Sequence, residues 1–270
     1  MWVKAVKGVN MVFANLSGGR DSTAMTVRAL ELGYEIDYIL FCDLGFEFED
    51  MYQYIDKLDS YLKVKFDKTI TRIDCKGIFE KWAFEYPIQR GEKKGSLRGL
   101  PKEVGLDFCT REGKTKPSRK FVLSVGSSNA FKNKVMIGYT SNEVKRGRTS
   151  SLDYAQSIYP LAEWGWNELE CENYLRDRGI ANPLYKHFKR TGCFFCPHQN
   201  KESWYYLYRN YPKEWKISKD LEEKARELGC VNTTFKIGKS LKEFEIEFQN
   251  EAERFDFGDD YVGEVVCFCK

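Results

Sequence analysis

Apolar and polar positions follow two different periods along the first half of the chain. Met11-Val12-Phe13-Ala14-Asn15-Leu16 is a short apolar run that stops at Ser17-Gly18-Gly19, and from Ser22 to Leu32 the apolar residues take helical spacing before Gly33. The change of period predicts a strand, a tight loop and a helix. A second unit repeats the pattern. Ile36-Asp37-Tyr38-Ile39-Leu40-Phe41-Cys42 ends in Asp43-Leu44-Gly45 and leads into an amphipathic stretch from Phe48 to Leu62, apolar at 51, 54, 55, 58, 61 and 62. Thr69 to Ile73 and Lys134 to Gly138 read as further buried strands. Strands alternating with helices imply an α/β fold, a parallel sheet with helices on both faces.

Between residues 89 and 120 the chain turns to Gly, Lys and Arg, which predicts a basic loop rather than core. From Asn167 onward helical spacing prevails, over 168–178, 201–211, 213–228 and 240–255. The expected organisation is therefore a nucleotide-binding α/β domain over 1–164 and a C-terminal helical lobe over 165–270, with no repeat or low-complexity linker between them.

The chain has 270 residues, 42% hydrophobic and 15% aromatic, enough to bury a core without disulfide staples. Its 43 basic against 40 acidic residues leave a net charge of +3, too balanced to argue for nucleic-acid binding by composition. The N-terminus carries no signal-like apolar run, and no segment approaches the ~20 apolar residues of a membrane span. A cytoplasmic enzyme with no membrane partner is the expectation. The nine cysteines are then reduced thiols or metal ligands rather than a disulfide framework. Cys42, Cys75, Cys171 and Cys230 stand singly among apolar or helical residues and read as small buried hydrophobes.

The chemistry begins at Ser17-Gly18-Gly19-Arg20-Asp21-Ser22. Paired glycines after a strand let successive N–H groups approach an anion, and the following helix points its positive end there. Ser17 and Ser22 offer hydroxyl donors, Arg20 a charge-assisted fork, and Asp21 a helix cap or a carboxylate for a divalent ion. A helix start with turn glycines is the plain alternative. No Gly-Lys-Ser/Thr ending follows, so this is no Walker loop.

The whole segment resembles the Ser-Gly-Gly-x-Asp-Ser signature of the PP-loop ATP pyrophosphatases, the adenine nucleotide alpha hydrolase-like superfamily. Asp43-Leu44-Gly45-Phe46-Glu47-Phe48 is similar to a segment of its phosphoadenylyl-sulfate reductase-related branch. The resemblance spans roughly residues 10 to 200. It implies ATP with Mg2+, cleavage between the α- and β-phosphates, and nucleotide contacts from Ser17, Gly18, Gly19, Arg20, Asp21, Ser22, Asp43 and Gly138. Gly138 opens Gly138-Tyr139-Thr140-Ser141-Asn142-Glu143, which looks like another family segment, although that segment has arginine where this chain has Thr140. Tyr159-Pro160-Leu161-Ala162-Glu163-Trp164 resembles a Pro-Leu-x-x-Trp unit whose expected role is packing.

Cys193-Phe194-Phe195-Cys196 has the Cys-x2-Cys spacing that lets two thiolates reach one metal. Cys109 is a third candidate, and Cys267, Cys269 or His198 a fourth. Zinc, a [4Fe–4S] cluster and a metal-free redox pair all suit these residue types. Cys109-Thr110-Arg111 with Lys114, followed later by Lys189-Arg190-Thr191-Gly192-Cys193, looks like reductase-related proteins and the DNA phosphorothioation sulfur-transfer enzymes. The resemblance assigns catalytic roles to Arg20, Asp21, Arg111 and Lys114. Lys116, Arg119 and Lys120 extend the basic run and are equally well explained as a solvated face.

Three functions follow as expectations. The first is an adenylating sulfurtransferase that thiolates a nucleic acid or a metabolite, drawing on a sulfur donor protein. The second is a phosphoadenylyl-sulfate or adenylyl-sulfate reductase, or a sulfate adenylyltransferase subunit. The third is a non-catalytic ATP- and metal-binding partner. A homodimer is compatible with each.

Overall fold

The computed structural model describes residues 10–104, 108–126 and 133–254. Strands β1 (Val12–Asn15), β2 (Tyr38–Asp43), β3 (Ile70–Asp74), β4 (Lys134–Met136) and β5 (Gln156–Ile158) form one sheet in the order β3-β2-β1-β4-β5. Every neighbouring pair is parallel. The expected α/β class is what the chain adopts, with a fifth strand that the apolar pattern had not marked. β5 is only three residues long and polar at Gln156 and Ser157, so it carries no apolar run to read.

Alternation along the strands divides the core. Phe13, Leu40 and Val135 meet Val122 on one face of the sheet. Ala14, Ile39, Phe41 and Met136 face the opposite way, towards Met25, Ile55 and Leu58. Helices α1 (Arg20–Glu31) and α2 (Glu49–Phe66) supply that second layer. The first layer includes the helix at Lys116–Val125.

The stretch expected to be a basic loop is helical in its second half, which corrects the sequence reading. After a short α3 (Ile78–Glu80), with a π-helical turn at Lys81–Glu85, comes α4 (Phe108–Thr110). A π-helical turn at Arg111–Thr115 then joins α4 to α5 (Lys116–Val125). Two features allow it. Pro117 stands in the first turn of α5, where its missing N–H is no loss, and the buried carboxylate of Glu112 pairs with both Arg111 at 2.8 Å and Lys116 at 2.6 Å. Charge that looked solvated is thus locally neutralised.

Past β4 the chain forms α6 (Ser141–Lys145), α7 (Pro160–Glu163) and α8 (Glu168–Asp177). A 3-10 turn at Pro183–Lys186 follows, then α9 (Lys201–Asn210), α10 (Pro212–Glu227) and α11 (Leu241–Arg254). Asn167 caps α8, accepting from Leu169 N at 2.7 Å while Glu170 accepts from Asn167 N. Leu175, Trp204, Trp215 and Phe248 belong to the same apolar core as Met25 and Ile55. No helix among the described residues is long and apolar enough to cross a membrane.

Candidate nucleotide site and cysteine cluster

β1 runs into the glycine loop. Gly18 has φ +70°, a conformation glycine adopts freely, and a Cβ there would meet Met51 Sδ at 2.5 Å. Behind the turn the hydroxyls of Ser17 and Ser22 lie 3.0 Å apart, Ser17 N donates to Ser22 Oγ at 3.1 Å, and Gly19 N reaches Ser17 Oγ at 3.3 Å. The two serines brace the loop across its mouth.

The loop is also held from the C-terminal half. Asn182 Nδ2 donates to Gly18 O at 2.8 Å, and Arg20 N donates to the Tyr185 hydroxyl at 3.0 Å. Neither residue was singled out in the sequence. The available signal was Asn182-Pro183, a cap followed by proline at the start of a turn.

Arg20 turns towards α8. Its guanidinium lies 2.7 Å from Glu168 and 3.3 Å from Glu172, and stacks over Tyr185 at 5.2 Å. Its Nε also touches Asp21 Oδ1 at 3.2 Å. Burial pushes the Asp21 carboxyl above its ordinary range, opposed by Arg20 and reinforced by Glu168 and Glu143.

Gly138 follows β4 and abuts the start of α1. A Cβ on it would stand 2.9 Å from both Cα and N of Ser22, so glycine is what lets the β4 loop touch the glycine loop. Thr140, where the resembled segment has arginine, starts α6. Its N–H and hydroxyl donate to Glu143 at 2.9 and 3.3 Å. Asp43, at the end of β2, accepts from Gly45 N at 2.8 Å and from the Tyr52 hydroxyl at 2.7 Å, with Lys76 Nζ 3.5 Å away.

Chain order along the sheet reverses between β1 and β4, and such a switch point opens a crevice at the carboxyl ends of the strands. A cavity of about 220 Å³ lies there, lined by Asn15 to Ser17, Leu40 to Cys42, Ile137, Tyr139, Tyr154, Lys114 and Ser118. Ser17 thus joins the glycine loop to the cavity, and Lys114 lines the same cavity.

Lys114 also faces the cysteines. Its Nζ is 3.9 Å from Oε1 of Glu47, whose side chain is only 2% exposed. Cys193 Sγ donates to the same oxygen at 3.8 Å, and Glu47 Oε2 is buried without a hydrogen-bond partner. Burial lowers and Glu47, Cys193, Cys109 and Cys42 raise the Lys114 ammonium, with a net upward shift. Burial holds the Glu47 carboxyl high against the pull of Lys114. It also lifts the Cys193 thiol, with Glu47 adding and Lys114 opposing.

The Cys193–Cys196 knuckle is pinned beside β2 by Phe194 N, which donates to Phe46 O at 3.0 Å, and by the rings of Phe46, Phe194 and Phe195. Cys109 and Cys196 share the electrostatic neighbourhood of Cys193. Among the described residues, however, no group of three or more His, Cys, Asp or Glu side chains is gathered closely enough to hold a metal ion. Cys267 and Cys269 lie outside the described residues. His198 lies near Glu103, on the side of Lys236. Arg111 is exposed and donates to Glu112, so Lys114 is the member of that pair that reaches the cavity.

No protein-family model matches the sequence. Two uncharacterized proteins of Methanocaldococcus jannaschii are similar to it. One is 27% identical over 209 residues, 76% of this chain and 40% of the relative; the other is 25% identical over 191 residues, 68% and 40%. The chain therefore spans about two fifths of the length of those relatives. Among solved structures, a U34-tRNA thiolase from Methanococcus maripaludis with its [4Fe–4S] cluster aligns at 14% identity and a TM-score of 0.39, covering 95% of this chain and 77% of the other.

Proposed function

We propose that the chain is an adenylating enzyme that binds ATP with magnesium at the glycine loop, cleaves it between the α- and β-phosphates, and acts in sulfur transfer to a nucleic acid or a metabolite. One observation carries the reading. The Ser17–Ser22 loop borders a cavity at the sheet's switch point, and the same cavity is lined by Lys114, which in turn faces the Cys193 knuckle. An ATP loop and a group of thiols are thus joined through one ammonium.

In this reading the N–H groups of Gly18 and Gly19 and the hydroxyls of Ser17 and Ser22 bind the departing pyrophosphate. Asp21 is the carboxylate that the loop itself brings to the accompanying cation. Lys114 neutralises charge developing at the α-phosphate, where an acceptor oxygen becomes linked to AMP. The outer sulfur of a cysteine persulfide, loaded by the sulfur donor protein, then displaces AMP from that activated acceptor, and a second thiol attacks the inner sulfur, releasing the thiolated acceptor and leaving a Cys–Cys disulfide. Cys109, Cys193 and Cys196 are the candidate sulfur carriers. The described thiols do not make a metal site by themselves, so no step is routed through zinc or a cluster. A sulfur donor protein, a nucleic-acid acceptor, a homodimer and a cytoplasmic setting belong to the same proposal.

The test is release of AMP from α-labelled ATP and of pyrophosphate from γ-labelled ATP, with ATP and phosphoadenylyl sulfate compared by binding titration. Ser17→Ala and Asp21→Ala should each lower pyrophosphate release by at least about tenfold, a loss of ~1.4 kcal/mol or more in transition-state stabilisation, while melting as the wild type does. Undiminished release from both variants, or preferential binding of phosphoadenylyl sulfate, would overturn the reading.

A further inference from the structure

A second pair of thiols, apart from the Cys193 knuckle, lies at the carboxyl ends of β2 and β3, and one of the two lines the cavity. Cys42, next to last in β2, lines the cavity beside Ser17, Lys114 and Ser118. Its Sγ is 3.3 Å from Ser118 Oγ, and it donates to the carbonyl oxygen of Lys114 at 3.6 Å. Cys75 follows β3 by one residue. The register pairs Cys42 with Ile73, so Cys75, two residues further, lies on the same face of the sheet as Cys42. Its N–H donates to Asp43 O at 2.8 Å, which holds it against β2. Each thiol is the leading influence on the other's proton affinity.

Their settings differ in the way a dithiol site requires. Cys42 is partly exposed at the cavity, whereas Cys75 is sealed at 1% exposure, with its Sγ donating to Ile73 O at 3.4 Å. We propose that Cys42 and Cys75 form a dithiol–disulfide exchange site that opens onto the cavity and reacts with small-molecule disulfides, Cys42 attacking and Cys75 resolving.

The exchange balances. The Cys42 thiolate attacks one sulfur of a disulfide RSSR, forming Cys42–S–S–R and expelling RS⁻, which takes up the proton Cys42 released. The Cys75 thiol then gives up its proton and attacks the Cys42 sulfur, expelling a second RS⁻ that takes that proton. One RSSR is reduced to two RSH, and two cysteines are oxidised to one disulfide.

The groups around the pair fit this order of attack. The neighbouring Cys75 thiol, together with Ser118 and the Lys114 ammonium, outweighs burial and holds the Cys42 thiol down at about 7. A thiol that titrates near ambient pH is the most effective attacker. Cys75 is pushed up by Cys42, by burial and by Asp74 and Asp43, so it keeps its proton until the mixed disulfide has formed. Tyr154 also faces Cys42, its own hydroxyl pushed up to about 12 by burial, and brings no charge at neutral pH.

The experiment treats the reduced full chain with bis(2-hydroxyethyl) disulfide, quenches with iodoacetamide and maps the peptides by mass spectrometry. The expected product is a Cys42–Cys75 disulfide in the wild-type chain, formed at a rate that rises through pH about 7, with Ser118→Ala moving that midpoint upward. Cys75→Ser should trap the hydroxyethyl adduct on Cys42, and Cys42→Ser should leave Cys75 unmodified. Adducts confined to Cys193, Cys196 or Cys109, or a Cys75 that reacts equally well without Cys42, would overturn the proposal. The wild-type map alone decides the first point, so the outcome does not depend on how well the variants fold.

Discussion

The side-chain amide of Asn182 donates to the carbonyl oxygen of Gly18 across 164 positions of sequence, at 2.8 Å. Its oxygen meanwhile accepts from Leu184 N at 3.0 Å. One buried amide thus fixes the turn at Pro183–Lys186 and ties that turn to the glycine loop. The C-terminal half therefore helps to set the conformation of a loop made entirely of N-terminal residues.

Asn182→Leu should separate these duties. It removes a buried donor and leaves Gly18 O and Leu184 N unpaired, a loss of about 2–4 kcal/mol for two buried groups. Urea unfolding should show that loss. ATP titration should show weaker binding even at temperatures where the variant is fully folded. Unchanged ATP affinity in a destabilised variant would make Asn182 a purely structural residue.

Gly138→Ala tests the contact between the two loops of the crevice. The added methyl would meet backbone atoms of Ser22 at 2.9 Å, and backbone yields less readily than a flexible side chain. About 1–3 kcal/mol of stability should be lost through overpacking. Gly33→Ala is a useful contrast. No atom lies within 4 Å of a Cβ there, so any loss comes from its φ of +78° alone. If alanine at 138 left both stability and ATP binding at wild-type values, the loops would have more play than their packing implies.

The sheet and its flanking helices were legible because their signal is a local apolar pattern. Phe13 and Ala14, and Ile39 to Phe41, announce strands buried on both faces by short unbroken apolar runs, and Met51, Ile55, Leu58 and Leu62 mark the buried side of α2. The helix at 108–125 was hidden because its support is electrostatic. Glu112 satisfies Arg111 and Lys116 within one turn, which an apolar-periodicity reading cannot register. β5 was hidden by its brevity.

Site residues divided along similar lines. Ser17 to Ser22 form a contiguous motif that could be read directly. Asn182, Tyr185 and Glu47 act through contacts between positions distant in sequence, and neither the Asn182-Pro183 cap nor the Asp43–Phe48 segment tells which partner each one meets. Cys42 and Cys75 looked like isolated small hydrophobes. Only the register of β2 on β3 makes them a pair.

Lys114 and Glu47 form a pair whose members depend unequally on each other. Glu47 is almost fully buried, while Lys114 keeps 38% of its side chain exposed. Lys114→Met should therefore leave an uncompensated buried carboxyl and lower stability by a few kcal/mol at pH 8, less than for a pair buried on both sides. Glu47→Gln in the same chain should recover much of that loss, because the charge is then gone. Additive effects of the two substitutions in a double-mutant cycle would show that the residues do not interact.

Glu222 supplies a pH dependence far from the cavity. It is 1% exposed, and its two carboxylate oxygens accept from Phe235 N at 3.1 Å and Leu241 N at 2.8 Å. Burial nonetheless raises it to about 7 from the ordinary 4.5, with Glu243 adding and the two N–H groups and Arg226 opposing. The folded state thus holds its proton more tightly than the unfolded chain does. Unfolding releases that proton between pH about 4.5 and 7, so this group's stabilising contribution is complete below the lower value and is lost as pH rises towards the upper one. Urea midpoints measured across that window should fall with pH in the wild type by an amount worth up to a few kcal/mol. In Glu222→Gln the slope should flatten, since glutamine keeps an acceptor for one N–H group and carries no titrating proton. A wild-type midpoint that climbs over the same window and a variant that follows it would show that other carboxylates govern the acid limb and that Glu222 is ionised in the fold.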